Sequence, residues 1–139
     1  MKDVKELYPD CTKDYDGEEC DRLRCVSDYS PIIDELGEVL VQVDDDDYQG
    51  DTRVLLKKDG RYGFLNFGWG SCSGCDSLQA CESLQQLQSL ADGLESDVKW
   101  FDTLEEAKNY ICSQDREGSY YYHIYEWKNF IEKVKECNG

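Results

Sequence analysis

The 139-residue sequence predicts an α+β fold, in which an antiparallel β-meander of about three to four strands has helices packed against it. Alternating apolar residues separated by short turns run from residue 37 to residue 68, and helical periodicity dominates after the cysteine-rich stretch that follows. Strands first and helices later is an order typical of helices on one face of an antiparallel sheet. The length fits one domain over residues 1–139.

The N-terminal segment, residues 1–35, is polar and acidic and holds both prolines together with cysteines 11, 20 and 25. Its periodicity is weak. Ser30 and Pro31 nevertheless have the form of a helix start, as cap and first helical position. The remaining residues, 36–139, are expected to supply the sheet, the cysteine loop and the principal helices.

Strand signals begin directly after this segment. The first strand, near 37–44, carries valines at alternate positions in "EVLVQV", and "TRVLLKK" and "RYGFLNF" predict strands near 52–58 and 61–68. The pair Asp59-Gly60 between the last two is a strong hairpin signal, because both turn positions need positive φ. We therefore expect three consecutive antiparallel strands.

Helical spacing of leucines predicts a helix over about 77–95, with Asp76 or Ser77 as its cap. The sequence "VKWF" at 98–101 predicts a short strand. The "TLEE" that follows has the form of a capping box and predicts a helix over 103–114. A final amphipathic helix is indicated by the apolar spacing beyond residue 123.

The balance of charge excludes several classes of partner. With 31 acidic and 15 basic residues, the net charge of −16 repels nucleic acids and anionic membranes and attracts basic protein surfaces. No apolar stretch has the form of a signal peptide or a membrane span, so a cytoplasmic location is expected. Oligomeric state and partner identity stay open at this point.

The acidic run Asp44, Asp45, Asp46 and Asp47 lies between the first two predicted strands. One interpretation is a solvated turn. The other is an array of carboxylates that binds a partner by occupying a basic groove built for a phosphate backbone. No catalytic motif accompanies it, so we expect a binding protein and not an enzyme.

Three cysteines cluster in "GSCSGCDSLQAC", between the last strand of the meander and the following helix. Cys72 and Cys75 form a C-x-x-C turn and Cys81 follows near the helix start, which favours a structural Zn²⁺ site at the strand-helix junction. His123, the sole histidine, is our candidate fourth ligand. The other cysteines, at 11, 20, 25, 112 and 137, are alternatives for that position. Two hypotheses compete with zinc: a redox couple of Cys72 and Cys75, and unligated cysteines that pack as small core residues.

The stretches "RYGFLNFGWGSCSGCDSLQAC" and "VKWFDTLEEAKNYI", within residues 53–115, resemble a group of small acidic proteins encoded by phages and other mobile elements. The chain is similar to zinc-containing anti-CRISPR proteins that inhibit type II-A Cas9. This resemblance implies a phage protein of the host cytoplasm that binds Cas9 directly and blocks DNA loading or cleavage. The implied ligands of a structural zinc are Cys72, Cys75, Cys81 and His123. Another basic host partner is the alternative.

Overall fold

The computed structural model describes residues 1–13, 16–19, 23, 26–71, 76–114 and 124–139. It is α+β, with a four-stranded antiparallel sheet in the order β1-β2-β3-β4 and helices packed against it. The strands follow each other along the chain as β1 Glu38–Asp44, β2 Gly50–Lys58, β3 Arg61–Trp69 and β4 Lys99–Phe101. The predicted meander and the short strand after it are confirmed.

The β2-β3 hairpin has the predicted two-residue turn. Asp59 and Gly60 both have positive φ, at 53° and 76°, as a type I′ connection requires. Pairing then continues without interruption from Lys58 opposite Arg61 to Gly50 opposite Trp69. This long, regular ladder is the framework on which the rest of the sheet is built.

Five helices are described: α1 Val4–Leu7, α2 Ser30–Leu36, α3 Leu84–Asp97, α4 Leu104–Ser113 and α5 Ile124–Glu136. The predicted helix over 103–114 is confirmed as α4, and the Thr103 side chain accepts a hydrogen bond from the Glu106 N–H. The final amphipathic helix is confirmed as α5. In α2 the predicted Pro31 lies in the first turn, but Tyr29 is the N-cap and Ser30 is already helical.

The helix predicted over 77–95 begins later than expected, at Leu84. Asp76 does not open it, because its carboxylate accepts the N–H groups of Leu78 and Gln79 in a separate turn. Ser83 caps α3 by accepting from the Gln86 N–H.

Helices cover both faces of the sheet, so the expectation of a single covered face is wrong. Side chains of α4 and α5 pack on one face against Val41, Val43, Leu55 and Phe64. On the other face, α2 packs against a second apolar set, Val54, Leu56 and Leu65. The physical reason is visible in β2, where five consecutive residues from 52 to 56 are buried and therefore need cover on both sides.

A further cluster joins α1 and α3 to the N-terminal segment, through Val4, Cys11, Leu78, Leu87 and Ala91. The N-terminal segment therefore packs on the same side of the molecule as the residues that follow the cysteine loop. Within the described ranges, no helix has both the length and the apolar character needed to cross a membrane.

Candidate binding site at the acidic turn and the cysteine loop

The four aspartates predicted to bind a partner do not share one orientation. Asp44, Asp46 and Asp47 are exposed, whereas Asp45 is buried with only 5% of its surface accessible. The inward alternation of β1, in which Val41 and Val43 are buried, continues one step beyond the strand to Asp45. Asp45 therefore does not offer its carboxylate to a partner, and Asp44, Asp46 and Asp47 remain as candidate contact residues.

Asp45 instead clamps the two ends of the turn. Its carboxylate accepts hydrogen bonds from Arg53 Nη1 at 2.7 Å and from the Asp51 N–H at 2.7 Å. Its own N–H donates to the Asp51 carbonyl at 2.9 Å. Both side chains of the ion pair are almost wholly inaccessible to solvent. The pair is thus a charge-assisted contact inside the fold.

Two neighbours complete this clamp. The guanidinium of Arg53 lies over the ring of Trp127 in α5, with its carbon 5.3 Å from the ring centroid. Gly50 starts β2 so close to Asp45 that an added Cβ would lie 2.6 Å from the Asp45 Cβ. Because any side chain at position 50 would displace Asp45, glycine is required there. The turn between Asp45 and Gly50 is consequently held at both ends.

The outer part of this acidic turn presents charge and one aromatic ring. Asp47 accepts the N–H of Tyr48, and Tyr48 is 83% exposed, one of the most exposed large hydrophobic side chains. Asp44 accepts from Thr52 Oγ1 at 2.6 Å and from Gln42 Nε2 at 3.2 Å. The exposed aspartates and Tyr48 together form a compact, acidic, partly aromatic projection.

The cysteine loop begins beyond β3. Cys72, Cys75 and His123 lie outside the described residues, so the structure does not test whether they approach one another. What it does describe is the base of the loop. Buried Asp76 accepts from the Gly70 N–H at 3.0 Å, and Gln79 Nε2 donates to the Gly70 carbonyl at 2.9 Å. These two bonds bring the ends of the loop together.

Asp76 also links the loop to α2. Besides the N–H groups of Gly70, Leu78 and Gln79, its carboxylate accepts from the Tyr29 hydroxyl at 3.0 Å. Tyr29 is the N-cap residue of α2. Sequence reasoning considered Asp76 as a helix cap and missed this role. A carboxylate next to a predicted turn was the signal, but its partners at 29 and 70 are separated from it in sequence.

Cys81 is the one predicted zinc ligand that the structure describes. It is half-buried, and its thiol donates to the Ser77 carbonyl at 3.3 Å. Burial first, and then the charge of Asp76, raise the pKa of the Cys81 thiol. Without a bound metal, the Cys81 thiol is therefore protonated at neutral pH. Binding of a zinc ion to Cys81 would have to displace this proton, because a thiolate is the form of cysteine that binds metals.

Cys11, whose role the sequence left open, packs in the same apolar cluster as Cys81. It is buried, and this burial raises the pKa of its thiol. Cys112 and Cys137 pack against the cluster between the sheet and α4 and α5, as small apolar side chains. In the parts of the chain that the structure describes, no three His, Cys, Asp or Glu side chains converge as a metal site would require.

An open groove of about 290 Å³ joins the acidic turn to the base of the cysteine loop. Four aspartates line it: Asp28, Asp44, Asp45 and Asp76. Tyr29 and Trp69 supply its aromatic surface, and Trp69 Nε1 donates to Thr52 Oγ1 at 2.9 Å. We name this feature the acidic groove. Comparisons of the chain with protein-family models, with curated proteins and with solved structures give no match.

Proposed function

We propose that this chain is a phage-encoded, zinc-stabilised acidic protein that binds Cas9 directly and blocks DNA loading or cleavage. The observation that carries the proposal is the clamped acidic turn beside the acidic groove. Three exposed aspartates project from a turn whose ends are fixed by the buried pair of Asp45 and Arg53. A surface already ordered in the free protein loses less conformational entropy when it binds.

The partner's chemistry follows from the charge of this surface. Of the four aspartates in the described lining of the acidic groove, Asp28 and Asp44 are exposed, whereas Asp45 is paired with Arg53 and Asp76 is buried. This lining contains neither lysine nor arginine. Cas9 holds its nucleic acids in positively charged channels, which a compact polyanion without nucleic-acid affinity can occupy. The family resemblance in the sequence points to the same partner. Another basic host protein is the alternative partner.

In this proposal the zinc is structural. Cys72, Cys75, Cys81 and His123 would hold it, and its chemistry would be to lock the cysteine loop to the fold through four bonds. The bonds from Asp76 and Gln79 to Gly70 support this role, because they close the base of the same loop. A redox couple of Cys72 and Cys75 is the alternative use of these thiols.

A pull-down of Cas9, with and without guide RNA and across a range of salt concentrations, tests the partner. The informative variant is Asp46→Lys with Asp47→Lys, since both side chains are exposed. Its matched control is Asp97→Lys with Glu132→Lys, at exposed positions on α3 and α5. Each replacement adds two charge units, so both double variants change the net charge from −16 to −12.

The turn variant is expected to lose about tenfold or more in Cas9 affinity, while the control stays within a fewfold of the parent protein. Equal weakening by the two variants would show that net charge alone is responsible. Absence of Cas9 binding even at low salt would remove Cas9 as the partner.

Metal analysis of protein purified without added zinc separates the structural from the redox hypothesis. We expect one zinc per chain in the parent protein and in Cys112→Ser, and loss of zinc with a lower melting temperature in Cys81→Ser. Metal-free protein with a reversible disulfide between Cys72 and Cys75 would favour the redox alternative instead.

A further inference from the structure

In the described part of the chain, no strand pairs with the outer edge of β1. β1 stands first in the strand order, and β2 is its only strand neighbour among the described residues. The hydrogen bond from the Asp45 N–H to the Asp51 carbonyl shows which opposed residues of β1 and β2 are hydrogen-bonded to each other. Since bonded and non-bonded pairs alternate in antiparallel strands, Gln42 and Asp44 direct their backbone N–H and C=O groups away from β2.

A groove lies on each side of this edge. On the α2 side is the acidic groove, which Gln42 and Asp44 help to line. On the α5 side is a second groove of about 340 Å³, lined by Leu40, Val41, Gln42, Lys133, Glu136 and Cys137. Gln42 lines both grooves, so the backbone N–H and C=O that it directs away from β2 lie between them. A strand placed along this edge would direct alternate side chains into the two grooves.

The two grooves differ in chemistry. The acidic groove exposes the carboxylates of Asp28 and Asp44, whereas the α5-side groove combines aliphatic groups and a thiol with one lysine and one glutamate. An added strand that suits both has basic residues on one face and apolar residues on the other. Charge complementarity therefore defines the occupant.

We propose that residues 41–44 of β1 receive an extended basic segment of the partner as an additional antiparallel strand, with its lysine or arginine side chains in the acidic groove and its apolar side chains in the α5-side groove. The identity of this partner as Cas9 rests on the proposed function, whereas its basic character and the mode of binding follow from the grooves and the sheet edge. Backbone hydrogen bonds at Gln42 and Asp44 supply affinity, and the two grooves select the sequence.

A second copy of this chain does not suit the edge. Two chains each carry a net charge of −16, and pairing of β1 with itself would bring together two strands that each end in the acidic turn. The bulge at Leu40, where the β1-β2 register shifts, also shortens the regular edge to residues 41–44. Bulges and charge are devices by which sheet edges avoid pairing with themselves.

The test uses a capped peptide of about eight residues in which lysine and valine alternate, titrated into the whole protein. Directly opposed residues in antiparallel strands have side chains on the same face. The side chains of Gln42 and Asp44 face the acidic groove, so the peptide lysines that enter this groove lie opposite these two residues. Because Gln42 and Asp44 direct their backbone groups toward the added strand, the backbone N–H groups of the opposing lysines are the ones that bond to β1. Methylating the lysine backbone nitrogens removes these donors, whereas methylating the valine nitrogens leaves them and serves as the matched control.

We expect the lysine-methylated peptide to bind about tenfold or more weakly than the valine-methylated peptide, although the two have the same charge. Amide hydrogen exchange at Gln42 and Asp44 is expected to slow when the unmodified peptide binds. A variant pair adds a second readout. Gln42→Pro removes one edge N–H and is expected to lose peptide binding, while Gln42→Ala keeps the N–H and retains it.

Equal affinity of the two methylated peptides, or no binding of the unmodified peptide at low salt, would overturn strand addition. Neither result would refute the proposed function, because Cas9 capture is measured separately with the Asp46 and Asp47 variant. Conversely, strand addition by the peptide without Cas9 capture would leave the binding mode intact and exclude Cas9.

Discussion

Replacement of Asp45 by alanine should be the most destabilising change in the acidic run. It removes the acceptor of two short hydrogen bonds, from Arg53 Nη1 and from the Asp51 N–H, while Arg53 stays fully buried. Hydrogen bonds to charged groups contribute about 1.5–3 kcal/mol each, and breaking a buried ion pair costs about 3–5 kcal/mol. We therefore expect a loss of about 4 kcal/mol in the free energy of unfolding.

Urea unfolding followed by tryptophan fluorescence measures this loss, and Trp127 reports directly because Arg53 lies over its ring. At a slope of about 2 kcal/mol per molar urea, the midpoint should fall by about 2 M. The control Asp46→Ala, at an exposed neighbouring position, should change stability by less than about 0.5 kcal/mol.

The double variant Asp45→Ala with Arg53→Met should be more stable than Asp45→Ala alone, because it no longer buries a charge without its carboxylate. Equal midpoints for Asp45→Ala and Asp46→Ala would contradict a stabilising role of the buried pair, since the inward carboxylate would then contribute no more than an exposed one.

Three further predictions concern other parts of the fold. Asp76→Ala should lower the free energy of unfolding by about 2–4 kcal/mol in urea titration, because three backbone N–H groups and the Tyr29 hydroxyl lose their acceptor. The exposed neighbour Ser77→Ala should have little effect, and equal losses would contradict the role of Asp76. Burial and the nearby Asp76 raise the pKa of Tyr29 above its ordinary value of 10.0, so the folded state retains this proton more tightly than the unfolded state. The resulting stability is complete below pH 10 and is lost as the pH rises further; urea midpoints measured on both sides of this pH should fall less in Tyr29→Phe than in the parent, and parallel falls would exclude Tyr29 as a cause. Thr103→Ala should cost about 1 kcal/mol through loss of the α4 cap, measured by thermal unfolding, whereas Thr103→Ser keeps the hydroxyl and should be nearly neutral.

Local sequence signals predicted most of the strands and helices. Asp59-Gly60 and the box from Thr103 to Glu106 each determine their structure within a few residues, so their outcome does not depend on distant packing. The start of α3 was misplaced because Asp76 is a good cap in isolation. Its carboxylate is instead used by Tyr29 and Gly70, which only the folded chain brings near.

The main difference in architecture is that helices cover both faces of the sheet, whereas the sequence predicted cover on one face only. Its signal was present in "RVLLKK", where three apolar residues in succession cannot all face one side of a strand. In the candidate site, the acidic run was found from the sequence, but the separate role of Asp45 was not. Four identical residues differ only in their position relative to the strand alternation, and their contacts with Arg53 and Gly50 depend on the β1-β2 pairing.

The repetition of aspartate in this run also keeps a carboxylate at the buried position when the run loses one residue. If one aspartate were deleted, the next in the run would occupy the inward position, and Arg53 would still find a carboxylate there. In a mixed sequence the same deletion would bring an unrelated side chain to the buried position. The run therefore keeps an aspartate at the inward position even when a deletion removes one residue from the loop that carries Tyr48.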